Sequence, residues 1–215
     1  MGVNNMALIQ HKLEEYINEK ILPQYANLDK GHNEKHIQYV INKSLQLAKP
    51  YNINMEMVYV TASFHDLGLI KGRDGHAERS ADIMTKDAYI AKWFDPSQIK
   101  LMQEAIEDHS ASLKRRPRNI YGKILYQADR NLEINVIVYR AMVYIKGKFP
   151  DITVPQQYEH MQTYLQSKYG EAGTLKLWLD DEDDKKALET VRNIIKDKAL
   201  IKQLCDKYYM TLTNC

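Results

Sequence analysis

Hydrophobic residues recur along almost the whole chain with a helical period, and almost no segment alternates between apolar and polar residues. The 215 residues include only nine glycines and six prolines, too few for a β protein rich in turns. The sequence therefore predicts an all-α fold. The predicted helices lie near 6–21, 33–49, 54–69, 76–91, 96–110, 118–131, 133–147, 155–169 and 184–209.

The segment FPDITVP, residues 149–155, sets the last part of the chain apart. We expect residues 1–150 to form the main domain and residues 151–215 to form a helical extension packed on the same domain. The apolar window 134–145 is interrupted by polar side chains and is too short to span a bilayer, so it predicts a buried helix. The C-terminal helices would complete the core, cover a pocket or form a homodimer contact.

Charge and cysteine content restrict the classes of partner. The formal net charge is only +2, whereas nucleic-acid-binding domains are usually strongly basic. No secretory signal is visible, and the two cysteines, Cys205 and Cys215, suggest no disulfide framework. We therefore expect a cytoplasmic protein that binds neither nucleic acid nor membrane.

Two charged runs have alternative interpretations. The acidic run DDEDD at 180–184 is typical of a solvated helix N-terminus, where carboxylates interact favourably with the helix dipole, rather than of a cation site. The basic run KRRPR at 114–118 follows His109 closely. It is therefore either a solvated loop or a phosphate-binding segment.

Histidine and aspartate side chains interrupt the apolar stripes of several predicted helices. In the helix predicted at 54–69, helical spacing puts His65 on the same stripe as Val58 and Ala62. Asp66 follows about 100° further round and can reach the edge of the same pocket. Imidazole and carboxylate groups are costly in a dry interior unless they are paired, hydrogen-bonded or bound to a metal.

Four more residues of these two types occupy comparable positions on other predicted helices. His109 ends the apolar stripe of helix 96–110, and Asp129 lies in the apolar seam of the next helix. His36 flanks the stripe of its own helix. His76 opens the helix that follows a loop interrupted by Gly68, Gly72 and Gly75, called the glycine-broken loop below. Each of them alone is most simply a hydrogen-bonded core residue.

Six such groups together favour a shared site. Separate burial would require six compensations, each costing on the order of a few kcal/mol if it failed. One or two divalent cations would satisfy all six groups together. Mixed imidazole and carboxylate ligands suit Mn, Fe, Co, Ni or Zn better than calcium.

The order of the motifs also resembles a known family. The segments GHNEKHIQYV, ASFHDLG, DGHAERSADIM, AIEDHSAS and YGKILYQADRNLE resemble the HD-domain superfamily of metal-dependent phosphohydrolases, over about residues 32–135. The resemblance implies an HD-domain-like helical bundle with additional C-terminal helices. It also implies that His36, His65, Asp66 and Asp129 occupy the four signature positions for metal ligands.

Members of the superfamily with two metals carry two further histidines between the His-Asp pair and the last aspartate. His76 and His109 lie in that interval, so the pattern resembles the binuclear type with Asp66 as the bridging ligand. In a mononuclear site, these two histidines would instead contact a substrate phosphate. By the same resemblance, His32 looks like a substrate-side residue rather than a ligand.

The resemblance implies hydrolysis of a phosphate ester or anhydride in a nucleotide-like small molecule, by attack of metal-bound hydroxide. Asp66 or Asp129 would accept the proton of the water. The phosphate would be held by basic residues, each of which is explained equally well as solvated surface: Lys71 and Arg73, with Arg79, Lys114 and Arg115 as weaker candidates.

Two other functions are compatible with the same ligands. Some proteins that resemble the superfamily activate O₂ at a pair of iron ions, which would make this chain a di-iron oxygenase. The basic residues Lys71 and Arg73 in the loop after the His-Asp pair disfavour an oxygenase, because an uncharged organic substrate needs no positively charged side chain to bind it. The third alternative is a non-catalytic, metal-stabilised nucleotide-binding protein, which the complete ligand set disfavours.

Overall fold

The computed structural model describes residues 9–28, 31–111 and 113–213, with side chains as far as residue 209. All regular elements in these ranges are helical and no strand occurs in them, so the predicted all-α class is confirmed. None of the helices in the described part of the chain is both long and apolar enough to cross a membrane. The α-helices are α1 (His11–Tyr16), α2 (Glu34–Ala48), α3 (Met55–Phe64), α4 (His76–Thr85), α5 (Ile90–Trp93), α6 (Pro96–Glu107), α7 (Ile120–Ala128), α8 (Ile134–Lys148), α9 (Val154–Tyr169), α10 (Glu182–Lys196) and α11 (Lys198–Thr213), with a π-helical turn at Ile17–Ile21 and 3₁₀ turns at Leu22–Asn27 and Leu67–Lys71.

Asparagine and aspartate side chains fix where several helices begin. Asn33 accepts hydrogen bonds from two main-chain N–H groups in the first turn of α2, one of them that of His36. Asn54 caps α3 in the same way, Asn119 caps α7 through the N–H of Gly122, and Asp95 caps the start of α6. Each such cap satisfies N–H groups that have no partner inside the helix, and it contributes about 1 kcal/mol.

Contacts divide the chain into two compact units, Met1–Arg130 and Asn131–Cys215. In the first unit, α2 packs against α3 and α7, while α6 packs against α3, α4 and α7. The apolar stripes predicted from the sequence lie in the core of this unit, where Val58, Ala62 and Ile106 are buried. The packed helix bodies hold the helix ends in place, and the candidate ligands lie at those ends.

The second unit has a helical core of its own. Within it, α8 packs against α9 and α11, and α10 also packs against α9 and α11. The buried helix predicted from the window 134–145 is confirmed, and Val138 of α8 lies in the same core as Met161. Cys205 is buried there as a free thiol, whereas Cys215 lies outside the described residues. The domain boundary predicted after residue 150 stays a prediction.

The helix predicted at 54–69 is wrong in its last part. In the structure α3 ends before His65, which forms the C-cap, and Asp66 has left helical geometry with φ −111° and ψ 2°. A 3₁₀ turn follows, in which the N–H of Gly68 donates to Ser80 Oγ at 2.8 Å. Asp66 therefore reaches the site because the chain turns, and not from a position further round the same helix.

The helix predicted at 184–209 is two helices. The chain is extended at Asp197, with φ −89° and ψ 95°, and the Asp197 side chain accepts a hydrogen bond from the N–H of Leu200 at 3.0 Å. This aspartate ends α10 and starts α11, although the hydrophobic period continues through it. The helix predicted at 76–91 is likewise divided, into α4 and α5. Residues 6–8 of the first predicted helix lie outside the described residues.

The acidic run at 180–184 lies at the start of α10, as the helix-terminus interpretation predicts. Asp181 accepts a hydrogen bond from the N–H of Asp184 at 2.9 Å. Lys185 pairs with Asp180 and with Glu182. The run therefore caps the N-terminus of α10 and places negative charges where they interact favourably with the helix dipole.

Candidate metal centre

All six candidate ligands lie at or near helix ends in the first unit. Helix ends can gather polar groups, because the chain leaves helical geometry there while the apolar stripe of each helix body stays in the core. This explains how the ligands interrupt apolar stripes without disturbing the packing. They are His36 in the first turn of α2, His65 and Asp66 after α3, His76 at the start of α4, His109 after α6 and Asp129 after α7.

The first group of ligand atoms comes from His36, His65, Asp66 and Asp129. Asp66 Oδ2 lies 3.1 Å from His65 Nε2 and 3.5 Å from His36 Nε2. Asp129 Oδ1 lies 3.3 Å from His36 Nε2 and 3.9 Å from His65 Nε2. Two imidazole nitrogens and two carboxylate oxygens thus face one another around a common point.

The second group comes from Asp66, His76 and His109. Asp66 Oδ1 lies 3.4 Å from His109 Nε2 and 3.8 Å from His76 Nε2. The two Nε2 atoms are themselves 3.3 Å apart. Asp66 belongs to both groups, because its Oδ2 faces the first and its Oδ1 faces the second. The structure therefore brings together all six residues that were selected as ligands from the sequence.

Hydrogen bonds determine which ring nitrogen carries the proton in three of the histidines. The Nδ1 atoms of His65, His76 and His109 lie 2.8, 2.7 and 2.5 Å from main-chain carbonyl oxygens. A carbonyl oxygen can only accept, so each Nδ1 must donate a proton to it. In the neutral imidazole, Nε2 then presents a lone pair to the cluster. Metal-bound histidines are usually supported by such an outer hydrogen bond.

The residues of this cluster fit a cation better than they fit one another. His65 Nε2 and Asp129 Oδ1 are buried and make no hydrogen bond within the described structure. Ligand atoms about 2.0–2.2 Å from one ion, at tetrahedral angles, are separated by roughly 3.3–3.6 Å. The contacts in the first group, from 3.1 to 3.9 Å, bracket that separation. Nitrogen and oxygen ligands of this kind suit a divalent transition metal such as Mn, Fe, Co, Ni or Zn.

Both carboxylates of the cluster are ionised. Burial opposes the ionisation of Asp66, but the neighbouring imidazoles, His65 above all, outweigh it and hold the pKa of Asp66 well below its usual range. Burial also opposes the ionisation of Asp129, yet the neighbouring imidazole of His36 and the charge of Arg130 keep the pKa of Asp129 below its usual range. Two negative charges are therefore available to a cation at neutral pH.

One side of the cluster is open to solvent. The side chains of His76 and Asp129 are 20% and 15% exposed, whereas that of His65 is completely buried. Burial and the neighbouring imidazole of His109 lower the pKa of His76, so its ring is neutral at pH 7 and can bind a cation.

Tyr25 supports the turn that carries His65 and Asp66, a role that was not predicted from the sequence. Its buried hydroxyl donates to the carbonyl oxygen of Ser63 at 3.0 Å and accepts from the N–H of Asp66 at 3.3 Å. Burial, together with the Asp66 carboxylate, raises the pKa of Tyr25 well above its usual value. The phenol therefore keeps its proton, and Tyr25 fixes the main chain on both sides of His65.

The residues predicted to bind substrate have different surroundings. His32 is buried next to the cluster, and its ring lies edge-on to that of His36 with centroids 5.6 Å apart. Lys71 and Arg73 are exposed on the loop between α3 and α4, and Lys114 is exposed on the loop before α7. These positions do not test contact with a substrate, so the four roles stay predictions.

Arg79, a weaker candidate for the phosphate, binds the glycine-broken loop. Its Nε donates to the carbonyl oxygen of Gly68 at 3.0 Å, and its other guanidinium nitrogens donate to the carbonyl oxygens of Gly72 and Asp74. Three main-chain acceptors along one loop converge on this side chain. Arg79 therefore fastens the loop to α4 and fixes the start of the helix that carries His76.

Gly68→Ala is expected to distort the same turn. A Cβ on Gly68 would lie 2.8 Å from the main-chain nitrogen of Ser80 and closer still to the carbonyl oxygen of His76. Because these are main-chain atoms of α4, the helix must shift, at a cost of about 1–3 kcal/mol in the free energy of unfolding. Urea unfolding of the metal-free protein measures the loss. Gly147→Ala is the matched control, since a Cβ on Gly147 meets nothing within 4 Å. Equal stability of the parent and Gly68→Ala would contradict the close packing.

Asp108, directly before His109, was not singled out from the sequence. Its carboxylate is completely buried and accepts a hydrogen bond from Arg115 at 3.0 Å and one from the main-chain N–H of Arg118 at 2.7 Å. The guanidinium of Arg118 also donates to it. These bonds fasten the basic run 114–118 to the end of α6. The guanidinium of Arg115 thus has an internal partner, and its predicted substrate role stays a prediction.

Asp108→Asn is expected to lower the free energy of unfolding of the metal-free protein by about 2–3 kcal/mol at pH 7, because two arginines lose a charged acceptor. Burial opposes the ionisation of Asp108, but the hydrogen bonds from Arg118 and Arg115 outweigh it and lower the pKa of Asp108. A lowered carboxylate pKa stabilises the folded state above the unfolded value, about 4, and this contribution disappears as the pH falls through the folded value.

The parent and Asp108→Asn should therefore differ in stability at pH 7, begin to converge as the pH falls below about 4, and converge fully only below the lowered pKa of Asp108. Urea unfolding at pH 7 and at a series of acid pH values measures the difference. Asp82→Asn serves as the control, because the Asp82 carboxylate is exposed and pairs only with the exposed Lys86 among the described ion pairs. A difference that persists in acid would show that the Asp108 carboxylate is not the source of the stability.

Comparison with protein families agrees with this geometry. The family model of the HD domain matches residues 33–131, a segment that contains all six ligand-type residues of the two groups. Comparison with curated proteins and with solved structures gives no significant match. The predicted resemblance is confirmed by the family match and by the ordered His, His-Asp and Asp residues that meet in one cluster. Residues 33–131, just under half of the chain, are therefore matched by the HD-domain family model, and this segment holds the whole cluster.

Proposed function

We propose that the protein is a metal-dependent phosphohydrolase that cleaves a phosphate ester or anhydride in a nucleotide-like small molecule. The observation that carries the proposal is the position of Asp66, shared between two groups of ligand-type side chains inside an HD domain. HD domains are generally metal-dependent phosphohydrolases. Two neighbouring groups with a common carboxylate suit two ions that act on one phosphate.

The six ligand-type residues can be assigned to two metal ions. A divalent ion held by these ligands supplies a water of lowered pKa and neutralises charge on the phosphoryl oxygens. His36, His65 and Asp129 would hold one ion and His76 and His109 the other, with the remaining carboxylate common to both.

Asp129 is the better placed of the two candidate proton acceptors. Both carboxylates have engaged oxygens, since Asp66 faces histidine nitrogens through both and Asp129 faces histidines through Oδ1 and pairs with Arg130 through Oδ2, but the side chain of Asp129 is 15% exposed and that of Asp66 only 5%. A proton acceptor must lie within hydrogen-bond reach of the water that it deprotonates, which favours the side of the cluster open to solvent. The roles of Asp66 as bridging ligand and Asp129 as ligand and base are part of the proposal.

The substrate would approach from the side formed by His76 and Asp129. Lys71 and Arg73 are exposed on the loop that connects Asp66 to His76, which supports their proposed role in holding the phosphate. His32 lies inside, beside the cluster, and would contact the part of the substrate next to the phosphate. The cytoplasmic location and the possible homodimer stay predictions.

His65→Ala tests the proposal. The protein is stripped of metal, reloaded separately with Mn²⁺, Fe²⁺, Co²⁺, Ni²⁺ or Zn²⁺, and assayed against nucleoside monophosphates and polyphosphates, dinucleoside polyphosphates and simple phosphomonoesters. Loss of a buried ligand is expected to reduce kcat/KM by at least about a hundredfold. His11→Ala is the control, because the His11 side chain is 89% exposed. Equal rates for His65→Ala and the parent would show that the site is wrong.

The same preparations separate the other two functions. O₂ uptake by the iron-loaded protein, without phosphate release from any member of the panel, would make it an oxygenase. Tight nucleotide binding without turnover under any of the metals would make it a binding protein. Phosphate release that depends on metal supports the hydrolase.

A further inference from the structure

We infer that Arg130 is a positioning residue that couples the two ligand groups, so that one guanidinium sets the geometry of both. Arg130 directly follows Asp129 and is 7% exposed. Its guanidinium contacts one residue of each group. This inference rests on the proposed function, because it concerns the same centre.

The first contact fixes the carboxylate of Asp129. Arg130 Nη1 donates to Asp129 Oδ2 at 2.8 Å, and both side chains are largely shielded from water. The other oxygen, Oδ1, is left to face the first group, where it lies 3.3 Å from His36 Nε2. A shielded ion pair is weakened by salt much less than an exposed one. Arg130 therefore determines which carboxylate oxygen enters the site.

The second contact fixes the main chain of His109. Arg130 Nη2 donates to the carbonyl oxygen of His109 at 2.9 Å. This carbonyl lies just beyond the end of α6, where carbonyl groups have no partner inside the helix. The imidazole is held at the same time, because its Nδ1 donates to the carbonyl oxygen of Ile106. With main chain and ring both held, His109 Nε2 stays 3.4 Å from Asp66 Oδ1.

The planar guanidinium makes the two contacts interdependent. Its central carbon lies 3.9 Å from the centroid of the Tyr126 ring, a cation–π arrangement that fixes the plane of the group. The N–H of Arg130 also donates to the carbonyl oxygen of Gln127 at 3.1 Å, which fixes its main chain at the end of α7. The two donors therefore point in fixed directions. A lysine ammonium offers a single charged centre and cannot reproduce this fork.

A side chain that contacts both groups must affect both ions. In Arg130→Met, Asp129 can rotate its carboxylate and the carbonyl of His109 loses its donor in the same molecule. Loss of an outer hydrogen bond to a metal ligand typically weakens metal binding by about 10- to 100-fold. Arg130→Lys keeps a positive charge near Asp129 but loses the fork. Arg130→Lys should therefore lower the affinity for the ion at His76 and His109 more than the affinity for the ion at His36, His65 and Asp129.

Calorimetric titration of the metal-free full chain with Mn²⁺ tests the inference without an activity assay. We expect two sites in the parent, about 10- to 100-fold weaker binding at both sites in Arg130→Met, and unequal weakening in Arg130→Lys. Arg192→Met is the matched control, since Arg192 donates to the carbonyl oxygen of Tyr169 at 3.2 Å within the second unit. Thermal unfolding of the metal-free variants shows whether they fold. If Arg130→Met does not fold, the Mn²⁺ titration of Arg130→Lys tests the inference.

The outcomes separate this inference from the function on which it rests. Parental Mn²⁺ affinity at both sites in the Arg130 variants would overturn the coupling and leave the proposed hydrolase intact. Weakening at one site alone in Arg130→Met would also overturn it, because a residue that couples the groups must affect both. A parent that binds no Mn²⁺ and none of the other four metals would overturn the metal centre itself.

Discussion

Replacing Asp66 with asparagine is expected to remove both metal ions and to reduce kcat/KM by about a thousandfold or more. Asp66 is the residue common to the two groups, with Oδ2 3.1 Å from His65 Nε2 and Oδ1 3.4 Å from His109 Nε2. A neutral amide is a weak ligand and cannot bridge two cations. Metal ions supply several kcal/mol of transition-state stabilisation, and about 4 kcal/mol corresponds to a factor of a thousand.

The measurement is the metal content of Asp66→Asn after dialysis, by elemental analysis, together with kcat/KM on the substrate found in the panel. The fold should survive, because the hydrogen bond from this residue to Tyr25 uses the main-chain N–H, which asparagine keeps. Asp82→Asn makes the same chemical change on the exposed side of α4 and should retain both ions and full activity. If Asp66→Asn keeps one full equivalent of metal, the carboxylate is not shared.

The sequence predicted which residues meet in the cluster better than it predicted the path of the chain through the cluster. Polar residues in apolar stripes were a sound signal, because a buried imidazole or carboxylate needs a partner and six of them can share one. The same helical period wrongly predicted that α3 continues past His65. In the structure His65 is the C-cap of α3, and a 3₁₀ turn follows. Periodicity carries no information on the tertiary contact between Gly68 and α4 that ends the helix there.

The supporting residues could not be predicted for a related reason. Tyr25 and Asp108 act through hydrogen bonds to residues that are distant in the chain or that lie across a loop. Arg130 stands next to a predicted ligand, so its position was a usable signal, but an arginine at a helix end is ordinarily read as a solvated charge. Its contact with the carbonyl of His109 depends on how α6 and α7 pack. Asp197, which divides a predicted helix, belongs to the same class of local hydrogen-bond effects.

His76→Ala is expected to remove one metal ion and leave the other in place. His76 Nε2 approaches Asp66 Oδ1 and His109 Nε2 in the second group, whereas the first group keeps all four of its residues. His76 is also a better target than His109, because its side chain is 20% exposed and that of His109 only 2%. Its loss should leave no cavity in the core, so a change in metal binding can be assigned to the missing imidazole.

In a binuclear centre, the parent binds two equivalents of Mn²⁺, His76→Ala binds one, and kcat falls by about a hundredfold because one ion no longer stabilises the phosphoryl group. In a mononuclear centre, the parent and His76→Ala both bind one equivalent, and the variant shows a raised KM because a phosphate contact is missing. His11→Ala should match the parent in both measurements, since His11 is exposed. Two equivalents in His76→Ala would show that His76 is not a metal ligand. The stoichiometry of the variant relative to the parent therefore decides whether His76 binds a metal or the substrate.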